Sequence, residues 1–407
     1  MSSPAPARPR PVHRAADLLA AYLPGSFYYS SARGVLLADG VHAHVRGASG
    51  NRAAAAAEAL EAAVLAGVAN PVVVGAIGFR PDSGSSLIVP AVVRRAEAPG
   101  GDSWTDGDLR PGREETPRPA NQNPWTVVPR PAPEVYAESV REAVDLIADG
   151  ELRKVVLARA LDLVGEHSIS VRDLLRDLVV RDPAAHAFAV DVSAPGDPAP
   201  RTLVGASPEL LVSRKGNVVT ANPLAGSRRR TGDPARDAQA IAELRVSEKD
   251  LNEHALVAAQ VAEVLGRYCT GLEVPEKPEV MGTPAMWHLS TRVTGRVGPG
   301  GPSSLELAEA LHPTPAVCGV PVDLARDTIA RLEPEDRGYY AGLVGWTDLA
   351  GDGEWVVTIR CAEVSDKTAR LFAGAGVVAG SDPAAELAET SAKFGTLLRA
   401  LGAEGVA

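Results

Sequence analysis

The sequence predicts one large mixed domain, or two coupled subdomains, in which helices and hairpin-joined strands are interspersed. Three observations carry this expectation. The chain has 407 residues and is 45% apolar, enough for a sizeable core and too much for a disordered polymer. Short β-branched runs bounded by Gly, Pro, Asn and Ser recur along it, as strands and tight turns require. Between them lie stretches rich in Ala and Leu with helical spacing.

The elements follow in order. Residues 1–14, MSSPAPARPRPVHR, are basic and proline-rich with no signal-like apolar core behind them, and read as a disordered start. Residues 15–98 alternate the strand-like SFYYSS, GVLLADG, NPVVVGAIGF and SLIVPAVVRRAE with a helix, NRAAAAAEALEAAVLAG, that opens after Gly50 and closes near Gly67. Residues 99–124 are dense in Gly, Pro and charge and read as a loop. Pro131–Asp149 is expected to be a helix with Val135, Val140, Val144 and Ile147 on its apolar side, stopped by Gly150. A strand, LRKVVLARALDLV, carries Lys154 near its start. A helix (SVRDLLRDLVVR), a strand (HAFAVDVS) and two or three short strands over residues 202–230 follow, turning at Ser207 and Gly216. One long helix is expected over 235–268, with Asp250 and Glu253 at i and i+3 on one face.

The stretch 353–394 concentrates polar chemistry. GEWVVTIRCAEV and RLFAGAG form a hairpin about SDKT, and a glycine-rich turn at Gly374–Gly376 leads into a helix capped by Ser381, with Asp382 and Pro383 in its first turn. Arg360 lies in the first strand; Glu386 and Glu389 stand at i and i+3 on the helix, with Lys393 beyond them. Alone, such a carboxylate pair reads as a solvated helix face. The glycine turn, whose N–H groups would suit an anion at the helix start, argues for a ligand instead. Gly374, Gly376 and Ala379 also match G-x-G-x-x-A, but the chain ends too soon to supply the second strand of a dinucleotide site.

Composition narrows the classes. A net charge of −10 argues against non-specific nucleic-acid binding, so an anionic ligand must be held by local cations. Cys269, Cys318 and Cys361 are odd in number and scattered, which suits a reducing cytosol and neither a zinc motif nor a disulfide scaffold. No apolar run reaches the roughly 18 residues of a membrane span. A cytoplasmic protein with no nucleic-acid or membrane partner is expected.

Read in order, RKVVLARA, VGASPELL, ANPLAGSRRR, SEKDLNEHALV, TPAMWHLSTRVTG, LHPTPAVCGVP, EPEDRGYYAGLVGW, GEWVVTIRCAEV, LFAGAGVVAGS and ELAETSAKF resemble the chorismate-utilising enzymes, most closely the isochorismate synthases of siderophore and menaquinone pathways. The resemblance runs from about residue 130 to the C-terminus. It implies an α+β fold: two large, mostly antiparallel β-sheets with helices packed outside and the active site in a cleft between subdomains. Residues 131–402 would form the catalytic core and 15–130 the N-terminal part of the same fold.

The resemblance also implies a reaction: water adds at ring carbon 2 of chorismate, the double bonds shift, and the hydroxyl on carbon 4 leaves. Lys154 stands at the position of the general base, a task that requires burial or a nearby cation to favour the neutral amine. Glu209 matches the general acid, which must keep its proton near pH 7. Taken singly, these two read as a strand-end lysine and a solvated glutamate in a turn. Glu253 and Glu389 match residues that bind magnesium directly, with Asp250 and Glu386 reaching it through water. Arg360 matches the arginine that grips the enolpyruvyl carboxylate, and Tyr340 shares that carboxylate. Backbone around Gly226 and Gly374, with Lys393, would complete the anion cradle. His288 would lie near the ring, although a lone histidine is more often a satisfied core residue.

A few positions separate the reactions that share this scaffold. Aminodeoxychorismate synthases carry a nucleophilic lysine where this chain has Ala225 in PLAGS. Anthranilate synthases take ammonia from an amidotransferase, whereas Lys154 points to water, so no amidotransferase subunit is expected and the chain is expected to be a monomer. Salicylate synthases keep the lysine and go on to eliminate pyruvate. HPTPAVCG, with Ala316 and Val317 lining the expected pocket, is similar to the isochorismate synthases instead. Asn222 and Pro223 depart from the isochorismate synthase pattern toward the amino-transferring branch. A catalytically silent relative would lack part of the charged set, and the set is complete. An assembly role for the proline-rich N-terminus is the remaining alternative.

Overall fold

The computed structural model describes residues 13–98 and 123–404. Among the described residues seventeen strands form one continuous antiparallel ladder. Along it β12 (Thr270–Glu273), β15 (Val293–Arg296), β10 (Val218–Asn222), β9 (Leu210–Lys215), β18 (Gly353–Val357), β17 (Leu343–Asp348), β3 (Val72–Ile77) and β4 (Ser85–Ala96) pair in that order. The ladder continues through β2 (Gly34–His44), β1 (Phe27–Ser31), β7 (His186–Asp191), β8 (Thr202–Ser207), β19 (Cys361–Ser365), β20 (Thr368–Val377) and β6 (Lys154–Gly165). β5 (Trp125–Arg130) and β16 (Gly319–Val320) share the far edge of β6. A separate sheet holds β11 (Leu224–Arg229), β14 (Met286–Ser290) and β13 (Glu279–Gly282).

Hydrogen bonds join distant rungs of the ladder. Ser31 on β1 donates to Glu354 on β18, and Ser207 on β8 donates to the Val357 carbonyl, both at 2.7 Å. The ladder therefore folds over on itself, and Val344 and Val356 of one half share a core with Phe188 and Leu203 of the other. The mixed, antiparallel character is as expected, but two separate large sheets are not found. Their place is taken by two halves of one ladder.

The strands read as apolar runs and not as clean alternation because both faces are covered. Phe27 and Tyr29 enter the core between the ladder halves, while Tyr28 enters a second core beneath α1 (Ala15–Ala20), α4 (Val171–Arg181) and α9 (Pro383–Leu401). The other helices are α2 (Arg52–Leu65), α3 (Pro133–Ala148), α5 (Pro234–Val246), α6 (Glu248–Gly266), α7 (Ser304–Leu311) and α8 (Val322–Leu332). No helix of the described residues is long and apolar enough to cross a membrane.

Local differences from the sequence reading have physical causes. The helix expected over 235–268 is two helices, because Ser247 leaves helical geometry and its side chain caps the Asp250 N–H of α6. The turn expected at Gly374–Gly376 is strand, since β20 pairs with β6 without interruption from Thr368 to Val377. The cap of α9 is Asp382, which accepts from the Ala385 N–H at 2.8 Å; Ser381 instead accepts from the Val378 N–H. In α3 the buried side is set by Tyr136, Val140, Ala143 and Ile147, and Val135 is exposed. The disordered start and the loop at 99–124 fall outside the described residues, apart from His13, Arg14, Asn123 and Pro124. Those at the start are ordered: His13 bridges to Ala96, and Arg14 bonds the Asp17 carboxylate.

Candidate active site

β6 and β20 build one wall of a cavity. Lys154 and Val156 project to the same face of β6, and Phe372, Gly374 and Gly376 to the matching face of β20. Glycine is required there by what stands opposite. A Cβ on Gly376 would lie 2.3 Å from Glu253 Oε1 and 3.1 Å from Lys154 Cε, and one on Gly374 would lie 2.9 Å from the Tyr340 hydroxyl. The glycines thus make room for side chains; they do not form an anion-binding turn. Gly374 presents its carbonyl to the site, accepting from Lys393 Nζ at 2.8 Å.

β11 forms a second wall. A bulge between Ala225 and Ser227 leaves Gly226 at φ +72°, and a Cβ there would meet Asp250 Cβ at 3.0 Å, so α6 packs close against the strand. Ala225, Gly226, Ala316 and Val317 all line the cavity. Arg337 fixes this side from behind. Its buried guanidinium donates to the carbonyls of Val317 and Val156 at 2.8 and 2.7 Å and pairs with Glu333.

Glu209 sits in the β8–β9 turn, with its backbone N–H on Ser207 Oγ and its carbonyl accepting from Val357. It lines the cavity, and burial pushes its carboxyl up to about 7, opposed by a backbone N–H from Leu224 and by the charges of Lys154 and Lys393. Lys154 is fully buried and lies 2.9 Å from Glu253 Oε1. It stands just behind the wall, screened by Glu253 and Gly376, which line the cavity themselves.

Arg360 and His288 also line the cavity. Arg360 adopts φ +51°, an αL geometry uncommon for a side chain of its size, and its guanidinium donates to His288 Nε2 at 3.2 Å. That bond makes Nε2 the acceptor, so Nδ1 carries the proton and donates to Ser227 Oγ at 2.9 Å. Burial, then the charges of Arg360 and Lys393, hold His288 well below the usual histidine range and keep it neutral. Burial also draws Arg360 down to about 10. Among the described residues it has no carboxylate within ion-pair distance. Tyr340 lines the cavity beside it, stacked on Phe372 with centroids 5.1 Å apart.

The four carboxylates come together in two shells. Glu253 and Glu389 line the cavity; Asp250 and Glu386 are buried one helical turn earlier on α6 and α9. Each is held by a cation: Glu253 by Lys154, Glu389 by Lys393 at 2.6 Å, Asp250 by Arg228 at 2.7 Å and Glu386 by Lys249 at 2.8 Å. Among the described residues no three His, Cys, Asp or Glu side chains stand close enough to enclose an ion. The chemistry of the donors nevertheless fits magnesium. All are hard oxygens, and Lys249 sits in the joint field of Glu386, Glu253 and Glu389, a crowding of like charge that a dication would also offset.

Ser227, Arg228, Lys249 and Arg337 are the site residues that the sequence reading passed over. Ser227, Arg228 and Arg337 fall inside motifs quoted for other members, and Lys249 directly precedes Asp250. The signal for Arg228 and Lys249 was the need of buried carboxylates for nearby cations.

Residues 105–402 match the sequence profile described as chorismate binding enzyme. The chain belongs to the chorismate-binding enzyme family. It is 48% identical to isochorismate synthase DhbC of Bacillus subtilis over 399 residues, covering 97% of this chain and 98% of that one. Against isochorismate synthase EntC of Escherichia coli K12 it is 40% identical over 339 residues, 83% of this chain and 82% of the other. The crystal structure of DhbC from Bacillus anthracis superposes with a TM-score of 0.87 at 46% identity, covering 95% of this chain and 99% of that one. The fold of this chain is thus that of a chorismate-binding enzyme along nearly its whole length.

Proposed function

We propose that this protein is an isochorismate synthase that converts chorismate to isochorismate. The observation that carries the reading is Glu209: a buried carboxyl whose proton is retained to about pH 7, facing a cavity with a buried lysine behind one wall and a guanidinium without an acidic partner in its lining. An acid in its protonated form is what departure of the carbon 4 hydroxyl demands.

Arg360 takes the enolpyruvyl carboxylate, its fork held by the neutral His288 and its face bordered by Tyr340. Lys154 takes the role of general base toward the water that adds at carbon 2. Val156, Ala225, Ala316 and Val317 give the ring apolar walls, and Ala225 offers no amine for a covalent route. Glu253 and Glu389 would hold magnesium, with Asp250 and Glu386 behind them; when bound, the ion supplies positive charge for the ring carboxylate. The cavity would then be the cleft between the parts of the fold, and the chain a cytoplasmic enzyme. Similarity to DhbC over nearly the full length supports the siderophore branch.

Incubation of the protein with chorismate and magnesium, followed by chromatographic resolution of isochorismate, salicylate, anthranilate and pyruvate, tests the reading. Isochorismate is the expected product, and EDTA is expected to stop its formation reversibly. Salicylate with equimolar pyruvate would assign the salicylate synthase reaction instead, and undiminished turnover in chelator would remove magnesium from the mechanism.

A further inference from the structure

A second concavity opens beside the candidate active site, lined by Arg229, Arg230, Arg236 and Arg399 over a floor that includes Ala388 and Ala392. It shares two elements with the site but no lining residue. β11 gives Leu224–Ser227 to the site and Arg229 to the groove, with Arg230 directly after the strand; α9 gives Glu389 and Lys393 to the one and Ala388, Ala392 and Arg399 to the other. The charge of Arg399 acts on Arg360, and Glu404, then Arg181 and Arg229, act on Arg399, so the two concavities share one field.

The arginines of this groove are poorly matched by protein acids. Arg230 is engaged: it stacks over Trp287 at 4.9 Å, donates to the Thr283 carbonyl at 3.1 Å and lies 3.9 Å from Asp237. Among the described residues Arg229, Arg236 and Arg399 have no carboxylate within ion-pair distance, and Nη2 of Arg399 is buried without a hydrogen-bond partner. Among the described residues Glu404 is the sole acid lining the groove. Like charges gathered in this way repel and do nothing for the fold. A net charge of −10, meanwhile, sets the rest of the surface against any anion that approaches.

We infer that this arginine groove is the approach route on which the dicarboxylate substrate is gathered and passed to Arg360, so that Arg229, Arg236 and Arg399 set the rate of productive encounter and not the chemistry. The identity of the anion rests on the isochorismate synthase reading. Steering of this kind raises encounter rates by about 10-fold to 1000-fold and fades as salt shortens the reach of the field to a few ångströms.

The test is the dependence of kcat/KM for chorismate on ionic strength. Wild type is compared with the doubly exposed variant Arg229→Gln/Arg236→Gln, with the triple variant that adds Arg399→Gln, and with Arg267→Gln. Arg267 follows the far end of α6, about 20 Å along the helix from Glu253, where it pairs with Glu263, and serves as a single-charge control away from the groove. The expected result is unchanged kcat, a kcat/KM lowered about tenfold in the triple variant at low salt, and convergence with wild type near 0.5 M salt, roughly the ionic strength at which such fields vanish. Variants that match the control at low salt overturn the groove, as does a loss that persists at high salt, which would signify direct contact in the bound state. If the triple variant does not fold, the double variant decides. A wild type that leaves chorismate unconverted refutes the functional reading together with the route, whereas active variants with unaltered kcat/KM sink the route alone.

Discussion

Lys154, on the first residue of β6, and Glu253, in the second turn of α6, form an ion pair of 2.9 Å in which the lysine is fully buried. The lysine is thus held just behind the cavity wall, in company with a carboxylate that lines the cavity. Lys154→Met is expected to lower kcat by about 100-fold to 10,000-fold, the usual contribution of a positioned base. It also strands Glu253 without its counter-charge. The double variant Lys154→Met/Glu253→Gln should therefore melt at a higher temperature than Lys154→Met, while its kcat stays at least as low. Calorimetry and a steady-state assay read both outcomes.

Glu209 gives a prediction with a definite sign. Its folded-state value of about 7 lies above the ordinary 4.5, so the native state holds the proton more tightly than the unfolded chain. The stability it contributes is complete below about pH 4.5 and is lost as pH rises through about 7. Activity that needs the protonated acid should fall on the same alkaline limb. Glu209→Gln is expected to abolish turnover and to flatten the change in melting temperature between pH 5 and 8, measured side by side with wild type. A variant that keeps the wild-type pH profile would place the acid elsewhere.

Arg360 should not tolerate lysine. The guanidinium reaches His288 with one nitrogen and leaves the rest of its fork free, a geometry that an ammonium does not reproduce. Arg360→Lys is expected to raise KM at least about tenfold, on the order of the loss of one charge-assisted hydrogen bond. Because burial already draws Arg360 down to about 10, its charge is retained throughout the assay range, and wild-type KM should not rise between pH 7 and 9 from this group. A titration of KM against pH checks this.

Gly376 is predicted to be the least replaceable glycine of β20. A methyl group there would come within 2.3 Å of Glu253 Oε1, so the carboxylate and its lysine must shift together. Gly376→Ala should keep the fold, since β6 and β20 retain their ladder, while kcat falls by at least about tenfold from a displacement on the order of 1 Å. Gly150→Ala, at a helix end where no atom lies near, offers a comparison with no expected effect on kcat.

The strands that cross the core were legible because their composition is local. SFYYSS, NPVVVGAIGF and HAFAVDVS each contain a strand where expected. Their joining into one ladder was not, since nothing within β1 tells that its second partner is β7. The break at Ser247 did have a local signal. Ser247-Glu248-Lys249-Asp250 is a serine followed three residues on by an acid, the pattern that starts a helix, but the helical period on either side masked it. Gly374 and Gly376 were mistaken for a turn because glycine ordinarily punctuates; here it yields space to Glu253 and Tyr340 from across the sheet, which only the tertiary structure shows. Of the residues assigned to the site, Glu209, Arg360, His288, Tyr340, Ala316, Val317, Gly226, Gly374, Lys393, Glu253 and Glu389 line one cavity, and Lys154 lies against it. Asp250 and Glu386 stand outside the lining.

The rungs that couple β6 to β20 run from Val155 with Val377 to Val164 with Thr368, a closure spanning more than two hundred residues of chain. On a ribosome, the segment bearing Lys154 therefore emerges long before the strand that completes its wall, and it must wait with one edge open. Catalytic competence is acquired all at once, near the end of synthesis, and a polypeptide interrupted before residue 377 would have nothing of the enzyme to offer.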